Sequence, residues 1–504
     1  MQTLANSKRE QSWLSWFLRG ILILGSLILI ARLFDLQIIK GEYYRKLSEG
    51  NRIERIKIKA ERGKILSRGG EVLTGPEFSH LTGYVAETNE LEVGKVDPNC
   101  IEKGPYKLGQ IVGRGGLQEY YNCHLSGIDG EELIEVDSGG NKLRSLGIRY
   151  PISGSDLKTN IDFNLQKVIA KEFEGKTGSS VATDKNGSVL ALFSSPTFDP
   201  KDITKSLNDP ELPLFNRAIG GLYHPGSIFK PLVAIAALET GNIDKNFRYN
   251  DTGVVTIESV YGNYSYTNWY YTQYGGQEGE IDLTKALARS TDTFFYKIGE
   301  FVGIDNLVEW VKRFGLTKLT NLDINGEVQS LIPSPDWKEK TKKEKWFLGN
   351  TYHFSIGQGD LALTAVGIHR ADLSVANNGK LCDLKIVGES NCTNLKIKKE
   401  NSDLVKEGMR KACSEGGTAF TFFDFAKKHN NLEVACKTGT AETNEDDKTH
   451  AWFFAFAPIE NPEIALTVMV EKSGEGSKVA GPIARSVFDK YFEIESMKEP
   501  VITN

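Results

Sequence analysis

The apolar and polar positions of this chain fall into two regimes. From Trp13 to Ile39 nearly every residue is apolar, interrupted by Arg19, Arg32 and Asp35, with an uncharged run from Gly20 to Ala31. A helix needs about 20 residues to cross the hydrocarbon of a bilayer. The uncharged run is shorter than that, and Trp13–Leu18 completes it if Arg19 reaches back towards the inner face. The pattern predicts one membrane-spanning helix. A cleaved signal peptide would carry a small-x-small site after the apolar run; here the run continues instead through Leu33, Leu36 and Ile39. Lys8 and Arg9 precede the helix. They place the N-terminus in the cytoplasm, the helix as a single pass in the plasma (inner) membrane, and the rest of the chain outside.

Beyond the helix the alternation changes period. Gly41–Gly50 is polar and reads as helix, and Asn51–Thr74 opens with alternating isoleucine and charge, the signature of a half-buried strand. Turns are expected at Arg62-Gly63 and Gly69-Gly70. Gly113–Gly116 reads as a turn into a short helix, Gln118–Leu125. It lacks the G-x-G-x-x-G spacing of a phosphate loop. A second unit begins near Leu157, with a helix carrying Leu165, Val168 and Ile169. Val181–Ser195 reads as two strands joined at Lys185-Asn186-Gly187, since Asn-Gly is a hairpin signal. Ser227–Glu239 reads as an apolar helix with Pro231 in its first turn and Gly241 as its cap. Tyr261–Tyr274 reads as an aromatic loop, either a cleft rim or plain surface. Helices are expected over Asp282–Arg289 and Thr291–Val302, antiparallel strands over Val434–Thr440, Ala451–Ala457 and Ile464–Val470, and a closing helix over Pro482–Phe492. Strands and helices in this order make an α+β fold, a sheet with helices packed on it.

With 504 residues there is room for two or three domains. Lys and Arg number 61 against 66 Asp and Glu, a net charge of −5 that gives no reason to expect a nucleic-acid partner. Six cysteines permit 15 pairings. In an exported chain disulfides are allowed, and Cys100 with Cys123, Cys382 with Cys392 and Cys413 with Cys436 are the sequence neighbours. No cysteine or histidine spacing resembles a zinc site, so neither a metal nor a cofactor is expected.

Chemistry enters with His224-Pro-Gly-Ser-Ile-Phe-Lys230. A helical i, i+3 spacing puts Ser227 and Lys230 on one face with their Cβ atoms about 5–6 Å apart. A serine hydroxyl is a weak nucleophile until a base activates it. Alone, S-x-x-K is weak, and Ser227 could simply cap a helix. Two later motifs change that: Ser290 and Asp292 as S-x-D, and Lys437-Thr438-Gly439-Thr440. These three patterns, in this order, are the signature of penicillin-binding proteins and class A β-lactamases. Together they specify acyl transfer. Ser227 attacks an amide carbonyl, and a neutral Lys230 takes its proton, helped by burial or by the cation Lys437. Ser290 relays a proton to the leaving amine. Backbone N–H groups of Ser227 and of the Lys437–Thr440 strand form an oxyanion hole, and Lys437, Thr438 and Thr440 meet a substrate carboxylate.

At this point the chain resembles the class B penicillin-binding proteins, D,D-transpeptidases that cross-link peptidoglycan. The likeness extends through Asn51-Arg52, Arg62-Gly63-Lys64-Ile65, Gly115-Gly116-Leu117, Ile161-Asp162 and Leu165-Gln166. It is nearest the elongation-type penicillin-binding protein 2 branch, through Asp292-Thr293-Phe294-Phe295-Tyr296, Ile332-Pro333, Asp336-Trp337-Lys338, Ile356-Gly357-Gln358-Gly359 and His450-Ala451-Trp452-Phe453. The resemblance implies a substrate stem peptide ending in D-Ala-D-Ala, an acyl-enzyme on Ser227 and covalent inhibition by β-lactams. It implies as partner a polytopic glycosyltransferase of the shape, elongation, division and sporulation (SEDS) family. Residues 1–39 would be tail and membrane helix, 40–155 a mostly β pedestal, and 156–504 the transpeptidase domain.

Three departures stand out. Asp292 replaces the usual Asn and would hold Lys230 charged. The chain passes from Leu73-Thr74-Gly75-Pro76 almost directly to Leu81-Thr82-Gly83-Tyr84, where relatives carry a large head subdomain. Gln118 stands where Glu is usual. The rival readings are a septal transpeptidase, a non-catalytic activator of a glycosyltransferase, a D-Ala carboxypeptidase and a serine β-lactamase, and the membrane helix with residues 40–155 argues against the last.

Overall fold

The structure, a computed structural model, describes residues 7–98, 100–137, 139–259, 262–443, 445 and 448–498. The chain divides into two compact units, Met1–Arg62 with Ser126–Gly154, and Gly63–Leu125 with Ser155–Asn504.

In the first unit the helix Ser7–Phe34 runs into a π-helical turn, Asp35–Ile39, and then the helix Gly41–Asn51. Trp13–Ile39 is long and apolar enough to cross a membrane, with mean hydropathy 2.1 and none of it buried. At its end Arg32 donates to Asp35 at 2.7 Å, so these two charges enter paired. The strand Ile53–Ile58 pairs antiparallel with Gly130–Val136, which pairs in turn with Lys142–Arg149. The expectation of a half-buried strand is not met, because Ile53 and Ile56 are exposed. Here the alternating charges serve the ladder. Lys57 pairs with Asp129 at 2.8 Å and Arg55 with Glu131 across the strands at 3.9 Å, and cross-strand pairs of opposite charge stabilise a sheet.

In the second unit a five-stranded sheet, counted among the described residues, runs in the order Ala435–Glu442, Thr449–Ala457, Ile464–Val470, Gly178–Thr183, Val189–Ser195, antiparallel throughout. Successive side chains point to opposite faces. Ala441, Trp452 and Phe454 join a core with the helices Lys230–Glu239 and Ala365–Ala376. Cys436, Phe453 and Leu466 join another with Phe163–Glu172 and Ala480–Lys498. The fold is α+β, a central sheet with helices on both faces. Ile65, Leu73, Phe78, Leu81, Leu117 and Leu125 belong to the first of these cores, which is why Gly63–Leu125 folds with this unit.

Three local expectations need correction. Gly113 and Arg114 end a strand, Ile111–Arg114, and the helix beyond starts at Gly116 and breaks at Tyr121. The aromatic loop is ordered. Val254–Ser259 pairs with Gly262–Thr267 as a hairpin, followed by a helical turn, Trp269–Tyr274; Tyr261 lies outside the described residues. The helix expected from Ser227 begins as a 3-10 turn, Gly226–Phe229, and becomes α-helical only at Lys230–Glu239. The cause is Pro231. An α-helix would bond residue 231 N–H to the Ser227 carbonyl, and proline has no N–H. The Lys230 N–H bonds Ser227 O instead.

Candidate active site

The 3-10 turn decides the geometry of the first motif, because side chains at i and i+3 eclipse in such a helix. Ser227 lies half-buried at the surface of the turn, while Lys230 beneath it is fully buried. Gly226 makes the approach possible. Its φ is +57°, and a Cβ there would lie 2.8 Å from the Thr440 carbonyl oxygen. Gly439 does the same from the other side, where a Cβ would come within 3.1 Å of Ile228 Cγ2. The turn thus rests directly on the Ala435–Glu442 strand, bringing the first and third motifs together.

The second motif closes the site. Ser290 ends the helix Leu283–Arg289 in a left-handed conformation, φ +57°, which turns both its carbonyl and its hydroxyl to Lys230. The Lys230 ammonium donates to Ser290 O at 2.8 Å, to Ser290 Oγ at 3.2 Å and to Asp292 Oδ1 at 2.7 Å. Three partners use all three of its hydrogens. Lys437, also fully buried, donates to the same Ser290 Oγ at 2.9 Å and to the Thr438 carbonyl at 2.8 Å.

Burial dominates the electrostatics. It pushes the Lys230 pKa down, against the attraction of Asp292. It pushes Lys437 well below the ordinary lysine value, and the charge of Lys230 lowers it further. The sequence assigned the cationic push to Lys437 acting on Lys230; in the structure it falls on Lys437. Asp292 does oppose neutralisation of the base, as its replacement of Asn implied, and desolvation outweighs it.

Thr438 Oγ1 donates to Thr418 Oγ1 at 2.8 Å, and Thr440 is exposed at the end of the sheet, where its carbonyl accepts from Gln358 Nε2 at 3.4 Å. All the residues singled out in the sequence therefore converge: Ser227, Lys230, Ser290, Asp292, Lys437, Thr438, Gly439 and Thr440.

Other participants were missed. Trp269 donates its backbone N–H to Asp292 Oδ2, and Asn268 Oδ1 accepts the Asp292 N–H, both at 3.3 Å. The fully buried Asn268 also donates to Asp251 at 3.4 Å, and Asp251 accepts from Thr293 Oγ1 at 2.6 Å. The aromatic hairpin is thereby fastened to the S-x-D turn. Behind Lys437 lies Asp372, fully buried, whose pKa burial raises well above the ordinary carboxylate value. Its helix, Ala365–Ala376, also carries His369, Arg370 and Ser374, so nothing in the sequence singled it out. The three disulfides are the neighbour pairs, and Cys413–Cys436 joins the residue beside Lys437 to the end of the helix Lys399–Ala412.

The sequence profile of the penicillin binding protein transpeptidase domain matches residues 178–489, and that of the penicillin-binding protein dimerisation domain matches residues 74–159. Peptidoglycan D,D-transpeptidase MrdA of Acinetobacter baumannii is 31% identical over 458 residues, which cover 85% of this chain and 66% of that protein. The chain thus spans just under two thirds of that relative's length. The crystal structure of Pseudomonas aeruginosa PBP2 in complex with WCK 5153 is similar with a TM-score of 0.73 at 30% identity, covering 87% of this chain and 96% of that one. A chain of a peptidoglycan synthase complex, from work on the coordination of polymerization and crosslinking, is similar with a TM-score of 0.74 at 25% identity, covering 98% of this chain and 100% of that one. Two profiles in the order of that family, over an intact constellation of its three motifs, place this chain among the class B penicillin-binding proteins, in the penicillin-binding protein 2 type of transpeptidase.

Proposed function

We propose that this chain is a peptidoglycan D,D-transpeptidase that cross-links stem peptides during cell-wall elongation. The observation that carries this reading is the convergence of two buried lysines on one hydroxyl, Ser290 Oγ, beneath the half-buried Ser227. Lys230, neutral once it yields a proton, accepts the Ser227 proton as the serine oxygen attacks the penultimate D-Ala carbonyl. Thr440 turns its carbonyl to the free side of its strand. In an antiparallel ladder the N–H of the same residue points the same way, so it can join the Ser227 N–H in stabilising the oxyanion. Ser290 Oγ accepts from both lysines, which leaves its own proton for the departing amine of the terminal D-Ala, and Lys230 passes the proton taken from Ser227 on to Ser290 Oγ. A stem-peptide amine then attacks the Ser227 ester, an amide forms and the serine regains its proton. Lys437 is fully buried, so Thr438 and Thr440 take the substrate carboxylate while Lys437 holds Ser290 Oγ by a hydrogen bond.

The same reading makes Trp13–Ile39 a single-pass anchor in the plasma membrane with its N-terminus in the cytoplasm, residues 40–155 a pedestal with a reduced head, and residues 156–504 the catalytic domain. Its partner is a SEDS-family glycosyltransferase. The likeness to a chain of a peptidoglycan synthase complex supports that partnership.

The test is covalent labelling with a fluorescent penicillin followed by peptide mapping. An adduct on Ser227 that disappears in Ser227→Ala is expected. Labelling that survives in the variant would remove Ser227 from the mechanism.

A further inference from the structure

The strand Ala435–Glu442, which carries the third motif, is an edge strand. Among the described residues it pairs in the sheet with Thr449–Ala457 alone. An open edge lets an extended substrate pair with it, and it also leaves that side without ladder bonds to hold the strand still. Rigidity then has to come from a face. Side chains alternate along a strand, so Cys436 and Thr438 share one face, roughly 6.6 Å apart. One short segment grips both. Cys436 is bonded to Cys413, and Thr438 Oγ1 donates to Thr418 Oγ1 at 2.8 Å. The bridge is kept from solvent, with Cys436 fully buried and Cys413 nearly so. The other side of the segment reaches the second motif. The Thr418 N–H donates to Ala288 O at 3.2 Å, and Arg289 Nη1 donates to Gly416 O at 3.3 Å. Ala288 and Arg289 are the two residues before Ser290. The segment is itself folded against its helix, Lys399–Ala412, by a bond of 2.9 Å from the Ala419 N–H to Ala412 O.

Residues 413–418 therefore span two motifs, and of their links only the disulfide cannot be exchanged for a bond to water. The other two bridges are placed differently. Cys382–Cys392 ties two short strands that already pair at those very residues, and Cys100–Cys123 joins residues that precede all three motifs. We propose that the Cys413–Cys436 disulfide is a positioning device for the acyl-transfer site, which through residues 413–418 fixes the Thr438 hydroxyl relative to the Ser290 turn. This rests on the transpeptidase reading above, in which Thr438 meets the substrate carboxylate. A carboxylate only accepts hydrogen bonds. When one arrives the hydroxyl pair reverses, so that Thr418 donates to Thr438 and Thr438 gives its proton to the substrate. The reversal needs the two oxygens held within hydrogen-bond distance, and the bridge two residues along the same strand face holds them there.

The experiment compares how fast the full-length, detergent-solubilised protein is acylated by benzylpenicillin and by its methyl ester, which lacks the carboxylate charge. Wild type should prefer the acid by about tenfold, the size of one hydrogen bond to a charged group. Cys413→Ala/Cys436→Ala should lower that preference by about fivefold, most of one such bond. Cys382→Ala/Cys392→Ala also loses one bridge and should keep the wild-type preference. Thr418→Val keeps the bridge, removes the partner of Thr438 and should lower the preference too. A preference that stays at its wild-type value without Cys413–Cys436, or equal losses on acid and ester, would overturn the positioning role. So would a loss of preference just as large in the Cys382/Cys392 pair. If the alanine pair does not unfold cooperatively, Cys413→Ala/Cys436→Val refills the space and takes its place. A chain that folds with neither pair would make the bridge a requirement of folding and overturn the proposal. Wild type acylated on Ser227 equally fast by acid and ester would overturn the positioning role alone. Wild type that takes no penicillin would overturn the transpeptidase reading and this role with it.

Discussion

Lys230 and Lys437 donate to the same oxygen, Ser290 Oγ, at 3.2 and 2.9 Å. Two ammonium groups this close cannot both keep a full charge without cost, and the hydroxyl between them is the natural path for a proton. Ser290→Ala removes that path while leaving the carbonyl that also holds Lys230. Acylation by penicillin should slow by about 10²–10⁴-fold, the usual contribution of a positioned proton-transfer group. Stopped-flow fluorescence measures this directly, and a rate within a few-fold of wild type would exclude Ser290 from the relay.

Asp292 holds the proton on Lys230, and burial drives it off. The acylation rate should therefore rise with pH as Lys230 loses its proton, with an inflection below the ordinary lysine range. Asp292→Asn removes the attraction, so the neutral base forms more readily and the inflection should move to lower pH. A pH–rate profile of acylation for both proteins tests the sign. An inflection that moves upward would show that Asp292 promotes deprotonation.

Asp372 is a stability liability. Neither of its carboxylate oxygens has a hydrogen-bond partner among the described residues, and such a group costs about 1–3 kcal/mol when buried. Asp372→Leu keeps the volume similar and removes that cost. Denaturant unfolding should show a gain of about 1–3 kcal/mol at neutral pH, and a loss of stability would mean that the carboxyl has a partner of its own.

His80 governs the acid limb. Burial holds its pKa down at about 4, against 6.5 for a free imidazole. Above about pH 6.5 it is neutral folded or unfolded and contributes nothing. As the pH falls from there towards 4, the unfolded chain binds a proton that the folded one refuses, and stability declines by up to about 3 kcal/mol. The fully buried His369, lowered to about 3, acts in the same sense. Thermal unfolding from pH 7 to 4 should show this decline, and His80→Leu should flatten part of it.

Much of the site could be read from spacing, because its groups sit where local structure repeats. Ser227 and Lys230 are three apart, and Lys437, Thr438, Gly439 and Thr440 are consecutive on one strand. The two residues that grip Asp292 could not be read that way. Asn268 and Trp269 lie over twenty positions upstream in an aromatic stretch, and only the pairing of Val254–Ser259 with Gly262–Thr267 turns them towards Asp292. The 3-10 turn was legible in principle, since Pro231 forbids the bond an α-helix needs there. The exposed Ile53 and Ile56 show the limit of period-2 reading: alternation says that a strand has two kinds of face, and burial depends on what covers each.

The catalytic unit is not one stretch of chain. It begins at Gly63, breaks off at Leu125 and resumes at Ser155. A protein trimmed to residues 156–504, the boundary that motif reading suggests, would keep every catalytic side chain and lose Leu73, Phe78, Leu81 and Leu117 from its core. Each contributes about 1.5–3 kcal/mol by burial. Such a fragment should aggregate, whereas one starting at Gly63 keeps its own interior. The same interruption sets an order of assembly. Gly63–Leu125 is made first and cannot finish packing until Ile464–Val470, the last strand among the described residues, completes the sheet behind it. The enzyme would therefore remain inactive until nearly its whole length has been made.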